Sequence, residues 1–266
     1  SLSSEEVIRV LSVKKPKYIA ITVYGYDEES YKLITKNKYS FENVRSNIIR
    51  LRENNINVLL RTIPIKYIYD NLDKIIDFTK SLDYKLYYFS YVTENPKDNP
   101  EFNRLSPDQL LDFESRIQEA FSYKKSPIRF EHDYKSCTAL RTSYFINHKG
   151  EMMPCPLAYQ PSRSIIENDF KETFIELGNE LAQLERQHPC FECEYLSSCN
   201  SCYARRLNEQ GNSSCGKYLK DIAMKREKHY DISGLDVVVK HRFGEYFVGN
   251  IDKYLSFESK LDETYR

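Results

Sequence analysis

The first 136 residues of this 266-residue chain contain no cysteine, and the whole chain contains no tryptophan. Its longer apolar runs, such as residues 58–60 and 237–239, fall far short of the ~20 residues that a membrane-spanning helix needs. The sequence also begins without the basic and apolar regions of a secretion signal. Lys and Arg number 39, as do Asp and Glu, so no net charge attracts nucleic acid or an anionic membrane. We therefore expect a soluble, cytoplasmic protein with neither partner.

Hydrophobic residues make up 41% of the chain, which is enough to bury a real core and excludes the disordered and fibrous classes. Strand-like and helix-like segments alternate through the first 124 residues, with strands predicted over 17–25, 57–63 and 84–92. Strands that alternate with helices indicate right-handed βαβ units and a parallel sheet. We predict an α/β fold in which the strand at 17–25 is buried on both faces.

The alternation ends near residue 124. A β-hairpin is predicted over 142–155, and a helix over 170–187. Two short strands followed by a helix are predicted from residue 235 onward. The predicted domains are therefore 1–124, 125–230 and a C-terminal extension of unknown role, 231–266.

All cysteines lie in the second of these domains. They are Cys137, Cys155, Cys190, Cys193, Cys199, Cys202 and Cys215. Seven is an odd number, and without a secretion signal a disulfide framework is a poor interpretation. Metal ligation is the better one, because each Cys-x-x-Cys pair can place two thiolates on one centre. Seven thiolates exceed one four-coordinate site, so they suit two centres, one with four cysteines and one with three. Zinc remains an alternative to iron–sulfur clusters.

The cysteine pattern resembles the SPASM domain that follows the barrel of radical S-adenosylmethionine (SAM) enzymes. That pattern is Cys, nine to fifteen residues, Gly-x4-Cys, then Cys-x2-Cys-x5-Cys-x2-Cys or Cys-x3-Cys, then a last Cys, and here Gly150 and every cysteine match it. Residues 21–25, 27–31, 40–42 and the strand from Asn57 are similar to the fourth strand onward of the radical SAM barrel. The resemblance covers roughly residues 3–217. It implies the C-terminal half of a partial (β/α)6 TIM barrel followed by a small Cys-rich α+β SPASM domain.

The resemblance also implies two auxiliary [4Fe-4S] clusters. The distal cluster would take the four-cysteine set, which is Cys190, Cys193, Cys199 and Cys215. The inner cluster would take the three-cysteine set, which is Cys137, Cys155 and Cys202. Since the inner cluster lacks a fourth cysteine, its fourth iron would be open, bound by water or another side chain, or held by a substrate thiolate. No catalytic base is carried over, because Pro156 follows the hairpin cysteine where some family members have Asp.

Thr22 and Arg61 are the candidate SAM-binding residues. Thr22 stands where the family usually has a strand Ser that contacts SAM, although a strand Thr is also an ordinary β-former. Arg61 interrupts an apolar strand, and a buried guanidinium needs an anion. That anion would be the SAM carboxylate, or a nearby Asp or Glu.

The Cys-x3-Cys-x2-Cys motif and the Gly-Gly-Glu stretch of the family are absent from these residues. The resemblance therefore implies the C-terminal portion of a longer enzyme, or a subunit completed by another chain that supplies the missing N-terminal barrel half and a third [4Fe-4S] cluster. We expect no radical chemistry from these residues alone. In the complete enzyme, a peptide or protein substrate would lose a hydrogen to the deoxyadenosyl radical and form, for example, a thioether or C–C bond. A flavodoxin or ferredoxin would supply electrons. The alternatives are a non-catalytic iron–sulfur electron-transfer or binding module, and a zinc-stapled scaffold.

Overall fold

The computed structural model describes residues 5–36, 40–89, 91–94, 100–123, 129–130, 139–187, 189–195, 199, 202–210, 215–230, 237–240 and 246–248. The chain divides into two compact units, Ser1–Lys125 and Ser126–Arg266, here called unit 1 and unit 2. No helix in the described residues is long and apolar enough to cross a membrane.

Unit 1 contains a three-stranded parallel sheet in the order β1-β2-β3, formed by β1 (Ile19–Thr22), β2 (Val58–Thr62) and β3 (Leu86–Tyr88). The predicted α/β class is confirmed, although each strand is shorter than the apolar run that predicted it. All of β1 is only half-buried, so the expectation of a strand covered on both faces was wrong. Within the described residues, β1 has a neighbour on one side alone, which leaves its other edge uncovered.

The helices of unit 1 are α1 (Glu5–Val13), α2 (Glu28–Thr35), α3 (Phe41–Glu53), α4 (Lys66–Asp70), α5 (Leu72–Ser81) and α6 (Pro107–Ala120). In the sequence, capping residues predict α1 and α6 and the spacing of apolar residues predicts α3 and α5, whereas the short α2 and α4 were missed. The signal for α2 lay in its cap instead, where the Asp27 side chain accepts from the Ser30 backbone N–H and the Ser30 hydroxyl accepts from the Asp27 backbone N–H.

The core of unit 1 is apolar and closely packed. Its large, fully buried side chains come from β2, β3, the helices that cover the sheet and a loop before α6, and they are Ile48, Leu51, Leu60, Ile68, Leu72, Ile75, Leu86, Leu105, Leu110, Phe113 and Ile117. The alternation of strands and helices thus gives each buried strand an apolar helical face to pack against.

Unit 2 is built around an antiparallel sheet of short strands, β5 (Phe145–Ile146), β6 (Glu151–Met153) and β7 (Arg163–Ser164). The predicted hairpin is its first pair. Asn147 Oδ1 closes the turn by accepting from the backbone N–H groups of Lys149 and Glu151, at 2.9 and 3.0 Å. Gly150 adopts a φ of 76°, which favours glycine.

Three helices complete the described core of unit 2: α7 (Phe170–Gln187), α8 (Tyr203–Gln210) and α9 (Lys217–Tyr230). Only α7 was predicted, although the buried Leu219, Ile222 and Ala223 have the i, i+3, i+4 spacing of a helix and were a usable signal for α9. Gly178 allows a close approach, since a Cβ there would lie 2.8 Å from the Leu140 carbonyl oxygen.

A second sheet of unit 2 joins β4 (Arg129–Phe130), β8 (Val237–Lys240) and β9 (Tyr246–Val248) in the order β4-β8-β9. β8 and β9 are antiparallel neighbours and correspond to the two strands predicted from residue 235 onward. The helix predicted after them lies outside the described residues.

Candidate functional site

The two residues predicted to bind SAM are neighbours at the carboxyl edge of the unit 1 sheet. Thr22 is the last residue of β1 and is the register partner of Arg61 in β2. The Arg61 Nε donates to Thr22 Oγ1 at 3.4 Å. Carboxyl edges of parallel strands are where α/β folds bind ligands, because the chain leaves the sheet there and exposes its polar groups. The structure therefore brings together two side chains that are 39 residues apart in sequence.

Arg61 lies over an aromatic ring instead of a carboxylate. Its guanidinium carbon is 4.6 Å from the centroid of Phe89, the residue that follows β3. Among the residues that the structure describes, Arg61 forms no ion pair with Asp or Glu. The predicted alternative, in which a nearby carboxylate of the chain binds Arg61, is therefore not seen among them. A half-buried, stacked guanidinium that keeps donors available is suited to an anionic ligand.

The backbone beneath this edge is held by hydrogen bonds between neighbouring strands and from α2. The Thr62 hydroxyl donates to the Val23 carbonyl at 3.1 Å, and the Tyr31 hydroxyl donates to the Thr22 carbonyl at 3.3 Å. Tyr31 is buried, and this burial, helped by nearby Tyr24, raises its pKa to about 12. Gly25 is needed for the approach of α2, since a Cβ there would lie 2.9 Å from the Tyr31 backbone nitrogen. The carboxyl edge is therefore a rigid platform.

The predicted cluster ligands lie in unit 2, and the described ones form no disulfide: Cys155, Cys190, Cys193, Cys199, Cys202 and Cys215. Cys137 lies outside the described residues. Cys155 follows β6, Cys202 directly precedes α8, and Cys215 lies two residues before α9. Helix N-termini favour negative charge, so the places of Cys202 and Cys215 suit thiolates.

Cys190 has two other members of the four-cysteine set near it, Cys199 and Cys215. Cys190 and Cys199 are 7% and 9% exposed, which is deep burial for groups that must ionise to bind metal. Burial raises the pKa of Cys190 to about 12, and nearby Cys215 and Cys199 add to the rise, whereas the charge of Arg206 opposes it. Since burial and neighbouring thiols both disfavour its thiolate, Cys190 is stable in this place either protonated or beside a bound cation.

Two members of the three-cysteine set also interact. Burial raises the pKa of Cys155, and the neighbouring Cys202 raises it further. Both cysteines pack against the core cluster that contains Met152, Leu177 and Tyr203. The hairpin and the start of α8 therefore bring together two thiols that are far apart in sequence.

Cys193 has a different setting from the other members of the four-cysteine set. It follows a 3-10 turn, Pro189–Glu192, and its backbone N–H donates to the Cys190 carbonyl at 3.2 Å. In the described part of the chain, no three His, Cys, Asp or Glu side chains are arranged closely enough to hold a metal ion. The thiols are thus assembled as neighbours, and closing either set around a metal needs further movement of these side chains.

Sequence reasoning missed two residues of these surroundings. Phe89 lies in the predicted strand 84–92, so the sequence predicts a strand residue there. In the structure it follows β3 and lies at the carboxyl edge of the sheet, beside the Arg61 guanidinium. Arg206 was not singled out, but it follows Cys202 by one helical turn, and its backbone N–H donates to the Cys202 carbonyl at 3.0 Å. A charged residue four positions after a candidate ligand was the available signal.

No protein-family model matches the chain, and no curated protein matches it. Solved structures share its fold. Native anSMEcpe with bound AdoMet and Cp18Cys peptide matches with a TM-score of 0.59 and 16% identity, over 86% of this chain and 71% of that chain. Native anSMEcpe with bound AdoMet matches with a TM-score of 0.58 and 15% identity, over 86% of this chain and 70% of that chain. SuiB of Streptococcus suis bound to S-adenosylmethionine matches with a TM-score of 0.56 and 14% identity, over 82% of this chain and 57% of that chain. Identities this low establish likeness of fold alone.

Proposed function

We propose that this chain is part of a radical SAM/SPASM maturase that modifies a peptide or protein substrate. In this assignment unit 1 is the C-terminal half of a partial barrel and contributes to the SAM site, and unit 2 is a SPASM domain that holds two auxiliary [4Fe-4S] clusters. The solved structures of anSMEcpe and SuiB contain bound AdoMet, one of them together with a Cp18Cys peptide, and their likeness of fold extends over more than four-fifths of this chain.

The observation that carries the proposal is how the thiols pair. Cys190 interacts with Cys199 and Cys215, whereas Cys155 interacts with Cys202. This division matches the two ligand sets that the spacing resemblance implies. Protonated thiols also pack well as small apolar groups, so the support comes from which thiols are neighbours and not from their burial.

The donor set fits iron–sulfur clusters, because buried thiolates supplied by tight turns and helix N-termini are their usual ligands. The four-cysteine set would hold one cluster, and Cys137, Cys155 and Cys202 would hold three irons of the other. When bound, such clusters supply electron transfer and a Lewis-acidic iron. The chain's own contribution is to fix the thiolates and to exclude water from Cys190 and Cys199, which are both buried.

Thr22 and Arg61 would hold the SAM molecule. The Arg61 guanidinium would donate to the carboxylate, and the Thr22 hydroxyl would bind a polar group beside it. Stacking on Phe89 holds the guanidinium of Arg61 in one plane before an anion binds. Binding therefore costs less side-chain conformational entropy.

Anaerobic reconstitution of the full chain with iron and sulfide tests the proposal. We expect about eight irons per chain, because two four-iron clusters suit seven thiolates at these spacings. Cys193→Ala and Cys155→Ala should each lose about half of the iron, one from each set. Ser12→Ala, at a helix residue outside both sets, is the matched control and should keep the full load. Iron content and absorbance near 400 nm, roughly where iron–sulfur clusters absorb, provide the readout.

A full iron load in Cys155→Ala would contradict the two-cluster assignment. Zinc bound in place of iron in anaerobically purified chain would favour the zinc-stapled scaffold. Two clusters with no SAM binding would favour an electron-transfer or binding module.

A further inference from the structure

Tyr31 meets the outer edge of β1, on which the described residues place no other strand. Val23, the residue after β1, still faces β2, because its backbone N–H donates to the Arg61 carbonyl and its carbonyl accepts from the Thr62 hydroxyl. Backbone groups of successive residues in an extended chain point to alternate sides, so the Thr22 carbonyl faces the outer edge. There it accepts a hydrogen bond from the Tyr31 hydroxyl at 3.3 Å.

The Tyr31 hydroxyl stands where a residue of a neighbouring strand would be. In a parallel pair, such a residue donates to the carbonyl of one residue and accepts from the N–H two residues further on. Tyr31 donates to the Thr22 carbonyl. Burial raises the pKa of Tyr31, and a backbone hydrogen bond from Tyr24, two residues after Thr22, opposes that rise. The end of β1 is therefore held by β2 on one side and by a side chain of α2 on the other.

The Tyr31 ring is itself firmly placed. It is 3% exposed, and its centroid lies 6.2 Å from that of Tyr24 and 5.9 Å from that of Phe41. Its helix approaches the chain so closely at Gly25 that a Cβ there would lie 2.9 Å from the Tyr31 nitrogen. Since a buried hydroxyl without a partner is costly, this packing directs the Tyr31 hydroxyl to the Thr22 carbonyl.

Thr22 is also the residue that meets Arg61, since its Oγ1 accepts from the Arg61 Nε at 3.4 Å. A threonine side chain is branched at Cβ and has few allowed χ1 angles, so its direction follows the direction of its backbone. A hydrogen bond that fixes the Thr22 backbone therefore also fixes the hydroxyl that Arg61 contacts.

We propose that Tyr31 is a positioning residue of the carboxyl-edge site formed by Thr22 and Arg61. Its hydroxyl fixes the Thr22 backbone, so that the Thr22 and Arg61 side chains stay paired for an anionic ligand. This inference rests on the proposed function in taking SAM as that ligand. Tyr31 acts through Thr22 and is not a catalytic residue.

Tyr123 provides a matched control in the same unit. Its hydroxyl donates to the Leu86 carbonyl at 3.3 Å, but Leu86 is the first residue of β3 and lies at the amino end of the sheet. Tyr31→Phe and Tyr123→Phe each remove one such hydroxyl and keep the ring. SAM binding to the full, iron-loaded chain is measured by equilibrium dialysis. Tyr31→Phe should weaken it about fivefold, the size of one ordinary hydrogen bond, and Tyr123→Phe less than about twofold.

Coupling to Thr22 separates positioning from a general loss of stability. Because Tyr31 acts through Thr22, Tyr31→Phe should weaken SAM binding by less than about twofold in a chain that already carries Thr22→Ala. Equal weakening by Tyr31→Phe and Tyr123→Phe would overturn the inference. An effect of Tyr31→Phe that persists in full beside Thr22→Ala would overturn it as well.

If Tyr31→Phe does not fold, the wild-type chain decides. Coupling between two sites is reciprocal, so a residue that affects SAM binding must respond to SAM. Saturating SAM should shift the 13C resonance of the Tyr31 Cζ, which senses the hydrogen bond of the hydroxyl, and leave that of Tyr123 in place. An unshifted Tyr31 resonance would contradict the positioning role.

Failure of the proposed function is distinguishable. If the wild-type chain binds no SAM, solvent exchange of the Arg61 Nε proton is measured by NMR in the ligand-free variants. The positioning role predicts exchange about fivefold faster in Tyr31→Phe than in Tyr123→Phe, because the Thr22 hydroxyl is then less well held as its acceptor. Equal exchange rates would overturn the inference without reference to SAM.

Discussion

Unit 1 and unit 2 differ in what they bury. Most of the large, fully buried side chains are in unit 1, and unit 2 contributes Met152, Met153 and Leu177 among the described residues. Unit 2 instead buries cysteines and two arginines, Arg206 and Arg226. A parallel sheet covered by apolar helices is stabilised by burial of apolar surface. Short strands around a small core gain less from burial, and domains of that kind commonly depend on a metal centre.

The strongest test of this contrast is removal of the metal. Chelation of the iron from the reconstituted full chain should unfold much of unit 2 and leave unit 1 folded, because only unit 2 contains the thiolate sets. Hydrogen exchange followed by mass spectrometry provides the measurement. Amides of α7 and α9 should lose protection, whereas those of β1 and β2 should keep it.

The iron-loaded chain with no chelator is the control for the same peptides. Unchanged protection of α7 after complete loss of iron would mean that the core around Leu177 is sufficient by itself, and the contrast between the units would then be one of composition only.

High pH should affect unit 1 through Tyr31. Its pKa is about 12 when folded, because of burial and nearby Tyr24, against about 10 when unfolded. The unfolded state therefore loses this proton first. The contribution of protonated Tyr31 to the free energy of unfolding is fully present below pH ~10 and is lost as the pH rises to ~12. The loss is about 2.7 kcal/mol, because each pKa unit corresponds to roughly 1.36 kcal/mol.

Urea unfolding of unit 1 between pH 9 and pH 12 would measure this loss. Hydrogen exchange of the amides in β1, β2 and β3 reports on the unfolding of unit 1. Tyr31→Phe should flatten the dependence while it preserves the packing on Phe41. Tyr18→Phe, at an exposed tyrosine, should leave the wild-type dependence in place. Equal pH dependence in wild type and Tyr31→Phe would show that other groups cause it.

A smaller effect should separate the roles of the two units in binding. Arg61→Gln should weaken SAM binding about tenfold, or roughly 1.4 kcal/mol, through loss of a charge-assisted hydrogen bond, and should leave the iron content unchanged. Equilibrium dialysis with labelled SAM measures the first and iron analysis the second. Arg45→Gln removes the same charge from α3, where Arg45 pairs with Glu42, and serves as the matched control. Unaltered binding in Arg61→Gln would remove Arg61 from the SAM site.

Prediction from sequence succeeded where one local pattern decides the structure. Alternation of apolar strands with helices predicted the parallel sheet, and the His148–Gly150 turn predicted the hairpin. It failed for α2 and α8, because each is only 8 residues long and rich in polar side chains, so few apolar positions mark the helix. The sequence prediction also made β1 too long, at residues 17–25. An apolar run shows which residues are hydrophobic, but it does not show over which of them a neighbouring strand pairs.

The sequence by itself determined the α/β class of unit 1 and the confinement of the thiols to unit 2, and its cysteine spacing is what led us to expect two ligand sets. Only the tertiary structure decided that Thr22 lies beside Arg61, that Cys155 and Cys202 pack against one core cluster, and that Arg206 is more deeply buried than Arg205. The physical reason is that spacing constrains residues within a turn or a helix, whereas contacts between distant segments depend on strand register and helix packing. Those are set by the whole core, and no local pattern records them.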